Sequence, residues 1–376
     1  RIYQGLYRIA GTDQKERIPR SYSTQMQVMI NTLNDIRTSD KQINGTHGIG
    51  VLMANSLMFQ RFPDHNGYDD PQFSSFYGQT LPLLKRGIPV ELVHMENTPF
   101  QETFKGLQVL VMSYSNMKPM KPEYHNYLAD WVKKGGTLVY CGEDVDPYQM
   151  VLEWWNTEGN TYKAPSEHLF EAMGLSRTPG DGTYRSGKGT VIVMREDPKH
   201  FVLKNGNDRK YFETIASAYL NQTGKKIEIK NNFVVERGPY TIAAVMDESS
   251  SKEPLQLSGL YIDLFDKDLP VLTVKQINPG EQGYLYDLSK VSGKVKAKVL
   301  CGASRIYDEK VGKQSYSFVA KSPLHTTNVS RILLPRKPGK VLVNGKTEQP
   351  EWDESSKTLL LSFENDPAGV NVSIEW

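Results

Sequence analysis

The pattern of apolar residues changes once along this chain, near residue 230, and that change limits the folds it can adopt. Before it, short continuous apolar segments alternate with segments of helical periodicity. After it, only strand-like segments and turn residues follow. Strands that alternate with helices favour a parallel sheet with helices on both faces, whereas a series of strands favours β-sandwiches. We therefore predict an α/β domain followed by one or two all-β sandwich domains.

The α/β part is predicted from apolar strands and punctuated helices. The predicted strands are residues 48–54, 88–94, 107–113, 137–140 and 189–194. The predicted helices are residues 76–85, 122–134 and 210–220, and an earlier helix spans 21–36. Pro122 at a first-turn position and Gly135 after the last turn delimit one of them. Right-handed crossovers between the strands would give a parallel sheet.

The β part is predicted as a series of short strands with turns between them. Its strands are residues 233–236, 240–246, 257–265, 283–288, 297–307, 315–320, 331–334, 341–343, 358–363 and 370–376. Asn344-Gly345 after an apolar run indicates a tight hairpin. The predicted domains are residues 1–45 (a strap and a helix), 46–230 (α/β) and 231–376 (β-sandwich), the last with a possible division near 292–326.

Composition and charge exclude several classes of protein. The chain has 376 residues, 38% hydrophobic and 23% charged, which suits two or three globular domains. A net charge of +2 gives no electrostatic basis for binding nucleic acid or an anionic membrane. No apolar run reaches the roughly 18 residues of a membrane span. We expect no metal and no cofactor, because the cysteines and histidines show no ligand spacing and no phosphate-binding Gly-rich loop is present.

Two features bear on the history of the polypeptide. The chain starts at Arg1 rather than Met, so we expect a processed or trimmed product. Four glycosylation sequons begin at Asn44, Asn221, Asn328 and Asn371, and they matter only if the chain enters a glycosylating pathway.

The loops that follow the parallel strands are the candidate ligand or interface loops, because open parallel sheets bind ligands at the carboxyl ends of their strands. They span residues 55–75, 115–121 and 143–160. The first is long, and long loops are often functional. Its candidate residues are Arg61, His65, Tyr68 and Asp69. A cover or interface loop is the favoured alternative to a binding loop.

The loop after the fourth strand contains acidic and aromatic candidates. Glu143, Asp144 and Asp146 could act as paired carboxylates in glycoside hydrolysis if held at the right separation. Helix capping and solvated charge are the favoured alternative. Trp154 and Trp155 could stack on a sugar ring, although packing of this loop on a neighbouring domain is the favoured role.

Cys141 follows a strand, the position of a nucleophile in some α/β enzymes. A nucleophile elbow needs small residues two positions before and after the nucleophile, because the turn is sharp. Val139 and Glu143 occupy those positions, and no His and acidic partner follow at a recognisable spacing. We therefore predict that Cys141 is a buried, inert thiol.

Residues 48–146 resemble a known family through LPLLKRGIPVELV and LQVLVMSYSNMKPMKPEYHNYLADWVKKGGTLVYCGED. These segments resemble the trimerisation domain of family 42 β-galactosidases, which has a flavodoxin-like, class I glutamine-amidotransferase-like fold without its nucleophile. Later segments, among them GPYTIAAVMDES and NPGEQGYLYDL, are similar to C-terminal β domains of bacterial glycoside hydrolases.

The resemblance implies a non-catalytic ancillary and oligomerisation region of a carbohydrate-active enzyme. In that family the catalytic acid and nucleophile lie on a (β/α)₈ barrel that precedes the trimerisation domain. Fewer than fifty residues precede the first sheet strand here, so no catalytic residue is assigned. The implied partners are that barrel, other copies of the chain with a trimer as the first expectation, and carbohydrate, and a periplasmic or extracellular location is favoured.

Two other functions stay open from the sequence. The first is an autonomous amidotransferase-like enzyme that acts through Cys141. The second is a carbohydrate-binding protein whose aromatic residues are Tyr284, Tyr286, Tyr307, Tyr316 and Trp352. If the strand-end loops face a partner, we expect their rings to form an exposed surface. Those rings belong to Phe59, Phe62, Tyr68, Phe73, Trp154 and Trp155.

Overall fold

The computed structural model describes residues 20–36, 41–59, 73–291, 293 and 296–376. Within these ranges the helices are α1 (Arg20–Asp35), α2 (Ser74–Leu84), α3 (Glu123–Lys133), α4 (Pro165–Ala172), α5 (His200–Leu203) and α6 (Asp208–Thr223). The strands up to residue 263 are β1 (Lys41–Ile43), β2 (Ile49–Met53), β3 (Glu91–His94), β4 (Val109–Met112), β5 (Thr137–Cys141), β6 (Gly182–Ser186), β7 (Gly189–Met194), β8 (Asn232–Arg237), β9 (Tyr240–Val245) and β10 (Leu255–Asp263). The later strands are β11 (Val271–Ile277), β12 (Gln282–Asp287), β13 (Lys298–Gly302), β14 (Arg305–Val311), β15 (Ser315–Lys321), β16 (Thr327–Leu333), β17 (Lys340–Val343), β18 (Lys346–Glu348), β19 (Glu351–Asp353), β20 (Thr358–Glu364) and β21 (Val370–Glu375).

The chain divides into two compact units that are not continuous in sequence. The α/β unit comprises Asn44–Phe233 and Glu248–Lys252. The β unit comprises the described parts of Arg1–Ile43 together with Val234–Asp247 and Glu253–Trp376. Helix α1 and strand β1 therefore belong to the same unit as the C-terminal strands.

The α/β unit contains a six-stranded sheet in the order β3-β2-β4-β5-β7-β6. The first five strands are parallel, and β6 pairs antiparallel with β7. Alternate residues of the central strands enter two separate hydrophobic cores. One core contains side chains of α3 and α4, and the other contains side chains of α2 and α6. A sheet covered on both faces explains why its strands are continuously apolar in sequence.

The five predicted parallel strands and three of the predicted helices are confirmed in this unit. Helix α4 and strand β6 were not predicted. The helix is only eight residues long, and β6 is an edge strand whose residues are mostly exposed, so neither has a strong apolar pattern. In α2, Leu81 is exposed and Leu83 is buried.

The β unit contains three antiparallel sheets. They have the orders β1-β8-β9-β12-β10-β11, β13-β16-β20-β19 and β14-β15-β21-β17-β18. The second and third sheets contribute side chains to one shared core, for example Leu359 and Phe318. The strand predicted over 297–307 is wrong as a single element, because β13 ends at Gly302 and β14 begins in another sheet at Arg305.

Helix α1 packs into the β unit. Val28 and Ile36 are buried in a core with strand residues such as Tyr240. The Thr24 hydroxyl donates to the carbonyl of Thr327 at 2.9 Å, and the Asn31 amide donates to the carbonyl of Gly302 at 2.9 Å. The helix thus contacts strands that lie about 300 positions later in the sequence.

Candidate functional site

Four charged side chains meet at the carboxyl ends of neighbouring parallel strands. Lys118 follows β4, Asp144 and Asp146 follow β5, and Arg195 follows β7. These strands are adjacent in the sheet, so their carboxyl ends share one edge, where ligands bind in open parallel sheets. We refer to these four residues as the strand-end charges.

Lys118 and Asp146 form a buried ion pair. Lys118 Nζ lies 2.9 Å from Asp146 Oδ2, with side chains 11% and 4% exposed, and it also donates to the carbonyl oxygen of Tyr114 at 2.5 Å. Asp146 accepts further hydrogen bonds from the backbone N–H of Tyr148 at 3.1 Å and the side-chain amide of Gln149 at 3.0 Å. Burial lowers the pKa of Lys118, and the adjacent carboxylate opposes that shift. Asp146 therefore holds the loop after β5 in place.

Asp144 and Arg195 form the second pair. Arg195 Nη1 lies 2.7 Å from Asp144 Oδ2, and the hydroxyl groups of Tyr140 and Ser166 also donate to this carboxylate. The Arg195 guanidinium additionally donates to the carbonyl of Pro179 at 2.9 Å. A guanidinium and two hydroxyl groups therefore already occupy the Asp144 carboxylate.

The three acidic residues proposed from sequence thus have different environments. Glu143 is exposed, whereas Asp144 and Asp146 each bind a cation of the same unit. Asp146 also caps the short helix that begins at Pro147. Capping was the favoured role for these acids, and it is confirmed for Asp146, although neither Asp144 nor Asp146 is a solvated surface charge.

Cys141 is the last residue of β5 and is completely buried. Burial raises the pKa of its thiol, and the negative charge of Glu196 adds to the shift. Because the thiolate is the nucleophilic form, the raised pKa opposes reactivity. The prediction of a buried thiol is confirmed.

A chain of three polar side chains lies beneath the loops at this edge, and no sequence pattern indicated it. The Tyr114 hydroxyl lies 2.6 Å from His125 Nε2, and His125 Nδ1 lies 2.8 Å from His168 Nδ1. Tyr114 follows β4, His125 is in the first turn of α3, and His168 is in α4. We refer to these three residues as the histidine relay.

The two tryptophans of the strand-end loop pack within the α/β unit. Trp155 is buried and donates from Nε1 to the carbonyl of Gln149 at 3.2 Å. Trp154 is half-buried and donates from Nε1 to the carbonyl of Pro119 at 2.9 Å, which ties loop 143–160 to loop 115–121. The Trp154 ring also lies nearly perpendicular to both rings of the histidine pair, at centroid distances of 5.6 Å and 5.3 Å.

The apolar side chains most exposed on these two loops are not aromatic. They are Met120, Val145, Met150 and Leu152, which are 60%, 73%, 82% and 79% exposed. We refer to these four residues as the loop patch. Phe73, another proposed ring, is half-buried. The candidates Arg61, Phe62, His65, Tyr68 and Asp69 lie outside the described residues, as does the side chain of Phe59.

Two further features are absent from the described part of the chain. None of its groups of His, Cys, Asp and Glu is arranged to hold a metal ion. Among its helices, none is both long and apolar enough to cross a membrane.

Comparison with known proteins finds similarity to glycoside hydrolases at the level of structure. The chain is similar to a β-galactosidase from Bacillus circulans sp. alkalophilus, with 12% identity and a TM-score of 0.40 over 65% of this chain and 42% of that one. The similarity to Gan42B, a GH42 β-galactosidase from G. stearothermophilus, gives 13% identity and a TM-score of 0.39 over 65% and 40%. An α-L-fucosidase from Paenibacillus thiaminolyticus is matched over 93% of this chain and 51% of its own, at 9% identity and a TM-score of 0.32.

These similarities are partial and low in identity. The chain spans about two fifths of the length of the β-galactosidases that it matches. TM-scores of 0.40 and below do not assign a fold or a site. No family model matches the sequence, and no curated protein matches it.

Proposed function

We propose that this chain is a non-catalytic ancillary region of a carbohydrate-active enzyme of the β-galactosidase type, whose catalytic acid and nucleophile lie elsewhere in the parent protein. One observation supports this most strongly: the strand-end charges at the sheet edge where an α/β enzyme would hold its site neutralise each other. Lys118 binds Asp146, and Arg195 binds Asp144. The sequence resemblance supplies the enzyme class.

We further propose that the α/β unit has an amidotransferase-like, flavodoxin-like fold that has no working nucleophile. Five parallel strands with helices on both faces support that assignment. The buried Cys141 supports the loss of the nucleophile. The two sheets of the β unit that share one core support a β-sandwich assignment for that part.

The loop patch supports a role in assembly with the catalytic barrel or with other copies of the chain. Methionine, valine and leucine side chains that are 60–82% exposed on two linked loops are costly to leave in water. Association would bury them, and a trimer remains the first expectation for the assembled protein.

The direct test is an activity assay of the purified chain with chromogenic glycosides and with glutamine. We expect no turnover above the blank, because Asp144 and Asp146 are each bound to a cation and Cys141 is buried. Asp144→Asn, Asp146→Asn, Glu143→Gln and Cys141→Ser are the matched variants. Turnover that falls in any of these variants would establish an active site in this chain and refute the proposal.

The carbohydrate-binding alternative has less support in the described residues. Tyr284, Tyr286 and Tyr316 are buried in the cores of the β unit, and Trp352 is half-buried. Tyr307 is 43% exposed, and Lys321 Nζ lies 5.3 Å from its ring centre. A single exposed ring offers a small platform for a sugar.

A further inference from the structure

The hydrogen bonds of the histidine relay can point in either of two directions, and the direction depends on how many protons the two imidazoles hold. Tyr114 and His125 are completely buried, while His168 is half-buried. The 2.8 Å contact between His125 Nδ1 and His168 Nδ1 has room for one proton. The 2.6 Å contact between the Tyr114 hydroxyl and His125 Nε2 also has room for one.

When both histidines are neutral, every hydrogen bond of the relay can form if each group donates toward His168. The Tyr114 hydroxyl donates to His125 Nε2, and His125 Nδ1–H donates to His168 Nδ1. Every buried donor then has an acceptor, as buried polar groups require. His168 keeps its Nε2–H at the half-buried end, where water can reach the ring.

When His168 takes up a proton, both of its ring nitrogens carry hydrogen, so Nδ1 can only donate. His125 must then accept this hydrogen bond at Nδ1 and carry its own hydrogen at Nε2. From Nε2 it donates to the Tyr114 hydroxyl oxygen. The Tyr114 hydroxyl becomes an acceptor, and among the described residues no second acceptor is found for its hydrogen. One proton taken up at the surface therefore leaves a buried hydroxyl hydrogen without a partner, an arrangement that folded proteins rarely tolerate.

Burial opposes protonation of both histidines, whereas the nearby Glu171 favours it at His168. Glu171 on α4 stabilises a proton on His168, but its carboxylate is already engaged by Tyr162 and Arg177. Burial lowers the pKa of both histidines, and each imidazolium would disfavour the other. The remaining titratable groups near Tyr114 are Asp144, Tyr140 and Lys118.

Trp154 connects this chemistry to the loops. Its ring packs nearly perpendicular to both imidazoles, and its Nε1 holds loop 143–160 to Pro119. We propose that the histidine relay is a proton-operated switch: protonation of His168 reverses the relay and loosens the packing of Trp154, which releases the loops that carry the loop patch. This inference does not depend on the enzyme class proposed above.

The direction of the relay can be measured directly. The chain has seven histidines, so selective ¹⁵N labelling gives a small set of imidazole signals. At pH 7.5 we expect His125 to carry hydrogen on Nδ1 and a lone pair on Nε2, and at pH 4.5 we expect the reverse. The same tautomer of His125 at both pH values would overturn the proposal.

The loop response is tested by tryptophan fluorescence and hydrogen exchange between pH 7.5 and 4.5. We expect a reversible change in the Trp154 signal, assigned by Trp154→Phe, with a midpoint below 6.5 and faster exchange in residues 143–160 after correction for intrinsic rates. His168→Asn places an amide near the Nδ1 position without a titrating group, and it should abolish the change. His94→Asn, at an exposed histidine in the same unit, should leave it intact.

Three results would refute the switch. The first is an unchanged loop across this pH range, and the second is an identical titration in His168→Asn. The third is a transition that coincides with loss of the far-ultraviolet circular dichroism signal, because the relay would then only support the fold. If His168→Asn does not fold, His168→Gln is compared in the same way.

Discussion

Replacing Asp146 by Ala should destabilise the α/β unit more than any other single change at the strand-end charges. The substitution leaves the Lys118 ammonium buried, with the Tyr114 carbonyl as its remaining close acceptor. Removing one partner of a buried ion pair costs about 3–5 kcal/mol, because the other charge stays uncompensated. For a unit of this size each kcal/mol lowers the melting temperature by about 2–4 °C, so we expect a decrease of about 6–20 °C.

Replacing Lys118 should lower the free energy of unfolding by less than replacing Asp146, and this difference makes the prediction specific. Lys118→Met leaves the Asp146 carboxylate with the donors of Tyr148 and Gln149, so we expect a loss of about 1–3 kcal/mol. The double variant Lys118→Met/Asp146→Leu removes both charges, and it should be more stable than Asp146→Ala alone.

Urea unfolding followed by tryptophan fluorescence measures these differences. Trp131, Trp154 and Trp155 all lie in the α/β unit and report its unfolding. Asp130→Asn, at an exposed position on α3, is the matched control and should change stability by less than about 0.5 kcal/mol. A loss below about 1 kcal/mol in Asp146→Ala, or a larger loss in Lys118→Met, would refute the reasoning.

Three further predictions concern other parts of the α/β unit. Cys141 should resist a thiol reagent until the unit unfolds, as followed by the rate of labelling in native buffer and in urea, because the thiol is buried and its pKa is raised. Stability should fall on acidification below pH 6.5, because the pKa of buried His125 lies below its unfolded value and the unfolded chain binds the proton first. In urea titrations the free energy of unfolding should change by up to about 1.4 kcal/mol per pH unit, and this slope should be smaller in His125→Gln. Met150→Asp should reduce self-association in light scattering while changing the melting temperature little, since the side chain is 82% exposed.

The sequence predicted the elements whose burial is uniform. Strands such as β4 are buried at every residue, so their apolar runs are continuous and easily found. Helix α1 was predicted, but only part of its apolar stripe is buried. Helical spacing places Ile30 and Leu33 on one apolar stripe with Ile36, yet both are exposed, whereas Thr24 and Thr32 are buried and hydrogen-bonded to carbonyl groups. A helix face that is buried partly through threonine side chains has no clear apolar periodicity, so the sequence pattern does not indicate it.

The candidate site was harder to predict because its partners are far apart in sequence. Asp146 pairs with a lysine 28 positions earlier, and His125 contacts a histidine 43 positions later. No local spacing rule connects such residues. The sequence therefore indicated the acidic residues as candidates but not the cations that they bind. The sequon at Asn328 shows the same limit, since that side chain is fully buried in a hydrogen-bond network with Ser304 and Ser330.

The position of helix α1 in the β unit has a consequence for biosynthesis. Its contact with Thr327 joins residues that are 303 positions apart. At a ribosomal rate of 5–20 residues per second, the helix would wait about 15–60 s for the strands against which it packs. The whole of Asn44–Phe233 emerges in that interval and can fold first. The nascent helix, with Val28 and Ile36 still in water, is therefore the segment that chaperones would have the longest opportunity to bind.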